Sequence, residues 1–260
     1  MDDLSKREWR IGEILRASFG MLKAVYKYCV PLCLLVYVPL NVIELFVPPE
    51  YSLGILLTDP MGVLDTGMYN QIMGFGMLMQ VIRLLFTCLV TGGYTYVAMA
   101  KLSGKPISRA GLMDLTLGKW FALAFTAFLF TLIISLTAVL IIPAIYFAVL
   151  FTFHLNVAAV TTDRGFKALL GSAKLVRGQF LKRLAYAFSF LFMQAAFTVI
   201  LSNILTPLTP SYYASPAPLN GLIIVVLNVI IETLASVFIL AQAVWFVNIL
   251  MHHKMLDVRV

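Results

Sequence analysis

Charge is scarce in this sequence. Only 12% of the 260 residues are Asp, Glu, Lys or Arg, about half the share of an average soluble protein. No stretch of more than about twenty-five residues lies away from an apolar run, so a separate water-soluble domain has nowhere to sit. Cysteine is nearly absent as well: of the three, Cys29, Cys33 and Cys88, none falls in an expected outer loop, which excludes a disulfide framework. Cys29 and Cys33 share a helix face with Cys88 in another span, a geometry open to zinc, but isolated thiols in apolar helices usually serve as small hydrophobes. His252 and His253 are adjacent, a poor spacing for two ligands on one face. Also missing are a hydrolase elbow, a phosphate-binding glycine loop, an HExxH pair and paired catalytic carboxylates. The reading is therefore of a non-enzyme with no cofactor and no metal. Nor do Lys and Arg interleave with aromatics outside the apolar runs, which argues against nucleic acid.

What is abundant is apolar residues, at 61%. The fold class expected is all-α: a polytopic membrane protein with six transmembrane helices in three hairpins, each preceded by a basic amphipathic cytoplasmic segment, in one membrane domain over 1–260. The spans are expected at about 28–47, 71–100, 120–141, 144–161, 184–205 and 221–251, each long enough for a hydrocarbon core of ~30 Å. Pro39 should kink the first, and Pro48 and Pro49 should end it. The run from 71 to 100 is long enough to tilt or project. In the apolar stretch from Trp120 to Thr161, Pro143 is the natural break, with a turn near Ile142 to Ile145. Residues 206–220 carry four prolines and no charge and read as an irregular outer loop, with Tyr212 and Tyr213 at the interface.

The amphipathic segments are expected at about 6–27, 106–118 and 163–180. In the first, Ser5 and Glu8 have capping-box spacing. Ile11, Ile14, Leu15, Ser18, Leu22 and Val25 make one stripe, with Glu13, Arg16, Lys23 and Lys27 opposite. The segment is charged over nearly thirty residues and does not read as a cleavable signal peptide. In the third, capped by Asp163, the apolar face is Phe166, Leu169, Leu170, Ala173, Val176 and Phe180, opposite Lys167, Gly171, Lys174 and Arg177. Such helices suit the headgroup layer, cations towards anionic lipid; a surface helix packed on the bundle is the other reading. The lipid-contact candidates are Arg16, Lys23, Lys27, Lys167, Lys174 and Arg177.

Topology follows from charge. Six Lys and Arg lie in the N-terminal segment, four in 101–119, six in 162–183 and two in the C-terminal tail, which is eighteen of nineteen. The connection from 47 to 70 holds Glu50, Asp59 and Asp65 and no cation. By the positive-inside rule both termini of this multi-pass protein are cytoplasmic.

The nineteenth cation is Arg83, inside a span. It lies eighteen residues before Lys101, or ~27 Å along a helix, near the outer interface. Glu44 and Glu232 fall at a similar level. The expectation is a polar cluster of Glu44, Arg83 and Glu232, joined by Asn41 and Asn228, lining an outward recess; the alternative is a snorkelling arginine and a charge pair that fixes packing. His154, Asn156, Gln194, Asn203, Gln242 and Asn248 are read as interhelical hydrogen-bonding groups. Gly74, Gly76, Gly92 and Gly93 are read as close-packing points. Offsets of 154 and 60 residues align the three basic segments, for example Lys23 with Arg177 and Trp120 with Phe180, which fits a parallel internal repeat.

IGEILRASFGMLKAVYKY, IIPAIYFAVLF and GFKALLGSAKLVRGQFLK together resemble a bacterial six-helix membrane family related to the membrane domain of glycerophosphoryl diester phosphodiesterases. The resemblance implies six helices with three basic interfacial segments. Any phosphodiester chemistry would belong to a soluble part outside this chain, so it lends no catalytic residue. Two functions are open: an accessory subunit engaging anionic lipid headgroups and another membrane protein, or a second copy, through its basic cytoplasmic face; and a small transporter or lipid-translocating protein with an outward recess around Arg83 and Glu232.

Overall fold

The computed structural model describes residues 8–46, 66–205 and 218–252. Among them the chain is helical, with no strand: α1 (Ile11–Leu45), α2 (Thr66–Leu102), α3 (Arg109–Gly118), α4 (Trp120–Thr137), α5 (Ile141–Leu150), α6 (His154–Val160), α7 (Phe166–Val176), α8 (Phe180–Leu205), α9 (Pro218–Ala235) and α10 (Val237–His252). Six stretches are long and apolar enough to cross a membrane: Val25–Leu45, Gly74–Leu102, Trp120–Thr137, Ile141–Val160, Phe180–Leu205 and Gly221–His252. The acidic connection at 47–65, the loop with Tyr212 and Tyr213, Ser5, His253 and Lys254 lie outside the described residues.

The helix α2 is the post of the bundle, packing on α1, α3, α4, α6 and α10. Close approach to α1 needs Gly93, where a Cβ would stand 2.2 Å from Leu32 Cδ2. At Gly74 the same atom would meet open space, so that glycine is not a packing point. Large rings fill the centre: Phe153 stands edge-on to Trp245 at 4.7 Å, and both are nearly inaccessible. The helix α8 stands at the margin, with only Arg183 and Phe190 buried.

Local chemistry moves several expected boundaries. The N-terminal amphipathic segment is not a separate in-plane helix. It runs straight into the first span as one helix of 35 residues, ~52 Å long, because the buried stripe Ile14, Ser18, Met21, Val25 continues unbroken through Cys29, Leu32, Val36 and Leu40. Pro31 and Pro39 are absorbed within it; each leaves the carbonyl four residues earlier, of Lys27 and Leu35, without its helical donor. The helix starts at Ile11 with Arg10 as its N-cap, whose N–H donates to Glu13 Oε2 at 2.8 Å, and Glu8 lies before the helix rather than in the third position of a capping box. The turn between spans three and four falls at Ala138 to Leu140 rather than at 142–145, and Pro143 sits in the first turn of α5, where a missing N–H leaves no bond unmade.

The third basic segment is shorter than its pattern. The cap is Gly165 at φ +55° rather than Asp163, because a Cβ there would meet the Phe125 ring at 2.7 Å. The helix α7 stops at Val176, Gly178 at φ +88° turns the chain, and Phe180 opens α8 instead of extending the apolar face. Ala168, Leu169, Ser172, Ala173, Leu175 and Val176 are buried against α4, α5 and α6. Phe166 and Leu170, assigned to the same apolar face, are instead exposed beside Lys167 and Lys174.

The fourth span is not one helix. Three residues of turn, Phe151 to Phe153, separate α5 from α6 inside the apolar run. Backbone freed within a membrane must find partners in the protein. Ser172 of α7 supplies two: its Oγ accepts from Phe153 N–H at 3.0 Å and donates to Leu150 O at 3.0 Å. Gln242 of α10 supplies a third, donating to Thr152 O at 2.9 Å. In the last span a single residue, Ser236, separates α9 from α10, and its N–H still donates to Glu232 O while its carbonyl accepts from Leu240 N–H.

Candidate functional site

A charge cluster within the spans is held by three helices. Glu44 comes from the last turn of α1, Arg83 from α2 and Glu232 from α9. Arg83 donates through Nε and Nη2 to the two oxygens of Glu44 at 2.5 and 2.8 Å, and through Nη1 to Glu232 Oε1 at 2.7 Å. Asn41, one turn below Glu44, donates to Glu232 Oε2 at 2.8 Å and to Tyr37 O at 2.9 Å. Asn228 is half-buried on α9 and makes no bond to the other four. The structure thus brings Glu44, Arg83, Glu232 and Asn41 together and leaves Asn228 aside. The three charged side chains retain 20–32% exposure, and the cluster carries two carboxylates to one cation.

A groove of about 460 Å³ opens beside Arg83, between α2 and α4. Gln80, Thr87, Thr131 and Ser135 give it a polar edge, while Leu84, Phe128 and Leu132 give it an apolar one. Arg83 is already engaged on the opposite side by Glu44 and Glu232, so a solute anion would compete with two carboxylates for it.

At the other end of the bundle the cations divide by job. Arg16, Lys23, Lys27, Lys167, Lys174 and Arg177 are all exposed. Lys119 is not free: its Nζ donates to Ala159 O and Thr161 O, both at 2.9 Å, closing the C-terminus of α6. Burial, with Arg164 nearby, pushes the Lys119 amine below its ordinary value. Arg183 is 1% exposed and, with Lys182, donates to the carboxylate of Glu8, each at 2.5 Å. Burial of Glu8 acts to raise its pKa, but the hydrogen bonds from Lys182 and Arg183 outweigh that and hold the carboxyl below the usual range. Beside this pair, Trp9 N–H donates to Asn248 Oδ1 at 2.9 Å and Tyr186 O–H donates to Trp9 O at 3.2 Å. The segment before α1 is thereby strapped to α8 and α10. Sequence reasoning missed this strap by pairing Glu8 with its neighbour Ser5; the available signal was an acidic residue amid cations and two cations opening an apolar span.

The isolated polar residues sort by reach. Asn156, Gln242 and Asn248 bond between elements, Asn156 donating to Thr95 Oγ1 at 2.8 Å. His154 meets Phe151 O in its own turn and stacks on Phe130. Asn203 donates within α8, and Gln194 is exposed. Mid-bundle, Tyr94 and Ser236 share a hydrogen bond of 2.6 Å beside the buried Cys33 thiol.

These features define a class: an all-helical, multi-pass membrane architecture with a paired charge cluster at one end and free cations at the other. The chain matches no protein-family model, no curated protein and no solved structure.

Proposed function

We propose that this chain is a non-enzymatic membrane module that engages anionic lipid headgroups, and a second membrane protein, at its basic cytoplasmic end. The observation that carries the reading is the exposed stripe of α7, where Phe166 and Leu170 lie beside Lys167 and Lys174. That is the pairing of a chain-facing edge with a phosphate-facing edge which suits the headgroup layer. Arg16, Lys23, Lys27 and Arg177 add exposed charge at the same end, and the excess of cations there supports a cytoplasmic orientation in a bacterial inner membrane. The accessory half of the reading is supported by α8, whose exposed Leu181, Leu191, Phe192 and Ile204 offer a broad apolar flank to lipid or a neighbouring protein. The resemblance to phosphodiesterase membrane domains fits a module acting beside a separate catalytic protein.

Neutralising Lys167, Lys174 and Arg177 to Gln tests the reading in nanodiscs that mix phosphatidylglycerol and phosphatidylcholine. Enrichment of the anionic lipid around the protein should fall while helicity and melting stay as in the wild type; unchanged enrichment makes α7 a packing scaffold only.

The polar groove beside Arg83 favours a second reading, a small transporter or lipid translocator. It requires that Glu44→Gln and Glu232→Gln alter solute or lipid exchange in proteoliposomes, whereas the accessory reading predicts no exchange to alter.

A further inference from the structure

Both α1 and α3 pack on α2, and they leave a groove of about 380 Å³ between them at the basic end. Two cations from separate elements line it, Lys27 of α1 and Arg109 of α3. Both are exposed, and neither has a carboxylate within salt-bridge distance among the described residues. Lys27 is steadied by the ring of Tyr28, 4.9 Å from its Nζ. The remainder of the groove is apolar, including Pro31, Leu35, Leu112 and Met113. The two ends thus differ in chemistry, as the two ends of a phospholipid do.

The backbone adds a second feature. Pro31 removes the helical donor to the Lys27 carbonyl, and Pro39 removes that to the Leu35 carbonyl. Lys27 and Leu35 both line the groove, so the two residues whose carbonyls lose a helical donor belong to the wall that carries the cation. A phosphate is the group that both cations would take.

We infer that this groove is a built site for one anionic phospholipid of the cytoplasmic leaflet, its phosphate between Lys27 and Arg109 and one acyl chain along Pro31, Leu35 and Met113. The volume lies at the lower end of the ~300–1,000 Å³ found for small-molecule sites. It suits the headgroup, the glycerol and the upper part of one chain, with the rest in the bilayer. Basic pockets between membrane helices on the cytoplasmic side are a recurrent solution for such headgroups. This inference rests on the lipid-engaging reading above and goes past it. That reading spreads attraction over the exposed cations of the basic end, with α7 carrying it, whereas this groove between α1 and α3 holds a single molecule.

The test uses the full chain in nanodiscs of phosphatidylglycerol and phosphatidylcholine, extracted into mild detergent and weighed by native mass spectrometry. The wild type should retain one phosphatidylglycerol after the others are stripped, and soluble glycerophosphate should not displace it. Lys27→Gln and Arg109→Gln should each reduce retention about fivefold, and together about thirtyfold, from the energy of a basic residue at a headgroup. Met113→Trp, which fills the groove without touching charge, should reduce it similarly. Lys167→Gln with Lys174→Gln should leave the retained molecule in place. If retention survives the Lys27 and Arg109 changes but falls with those on α7, the groove is not the site, although the lipid-engaging reading stands. If glycerophosphate displaces the bound species, the site takes free phosphate esters and not lipid. If the wild type shows no preference for phosphatidylglycerol, both readings fall. All the altered side chains are at the surface, and unchanged melting identifies variants that remain folded.

Discussion

Replacing Arg83 with Gln removes three hydrogen bonds to two carboxylates, at 2.5, 2.7 and 2.8 Å. A charged hydrogen bond in a folded protein contributes about 1.5–3 kcal/mol, but interhelical bonds in membrane proteins average only about 0.6 kcal/mol. The three groups keep 20–32% exposure, which screens them further. A loss of about 3 kcal/mol for Arg83→Gln follows, or about 150-fold in the unfolding equilibrium. The sharper expectation concerns sign. Without Arg83, Glu44 and Glu232 face each other as like charges, so adding Glu232→Gln should restore part of the loss: the double variant is more stable than Arg83→Gln alone. In the wild-type background, Glu44→Gln should cost more than Glu232→Gln, because Glu44 holds two of the three bonds and Glu232 keeps its bond from Asn41. Reversible unfolding in mixed detergent and denaturant measures all four corners of the cycle. Strict additivity, within about 0.5 kcal/mol, or a double variant weaker than Arg83→Gln alone, refutes the triad as a unit.

Two further outcomes test the other end of the molecule and its centre. Glu8→Gln should cost about 3 kcal/mol at neutral pH, because it leaves buried Arg183 without its counter-charge. Since Lys182 and Arg183 hold the folded carboxyl below the usual carboxylate range, the wild type holds this stability above that range and loses it as pH falls through the folded value. In unfolding curves, the wild type's advantage over Glu8→Gln, full at pH 7, should therefore narrow as the pH is lowered below the ordinary carboxylate range. Ser172→Ala removes the partner of both Phe153 N–H and Leu150 O and should cost about 2 kcal/mol, with faster amide exchange confined to residues around the α5–α6 turn; unaltered exchange there would show that the turn stands without α7.

Run lengths and charge made the six spans legible, because the membrane permits few alternatives to an apolar helix of that length. The juxtaposition of Glu44, Arg83, Glu232 and Asn41 was legible from depth along each helix, since level within a bilayer is nearly a coordinate. Azimuth is not, and Asn228 at the right level lies off the cluster. The failures share one cause. Pro143 marks a local preference that the first turn of α5 accommodates, whereas the interruption at Phe151 to Phe153 contains neither Pro nor Gly. It is set by Ser172 and Gln242, which are remote in sequence. Likewise Phe166 and Leu170 share periodicity with Leu169 and Ala173, and only the placement of α4, α5 and α6 decides which of them are covered.

The interrupted fourth span has a consequence for biogenesis. Its freed backbone groups are satisfied by side chains of α7 and α10, both of which leave the ribosome after it. A nascent chain that ends before α7 would hold Leu150, Thr152 and Phe153 in lipid with groups costing several kcal/mol each if unpaired. In that interval the segment gains by closing into an uninterrupted helix, and it opens into its final shape only when the later helices dock. The interruption thus acts as a completion mark, two of its three bonds waiting on α7 and the last on α10.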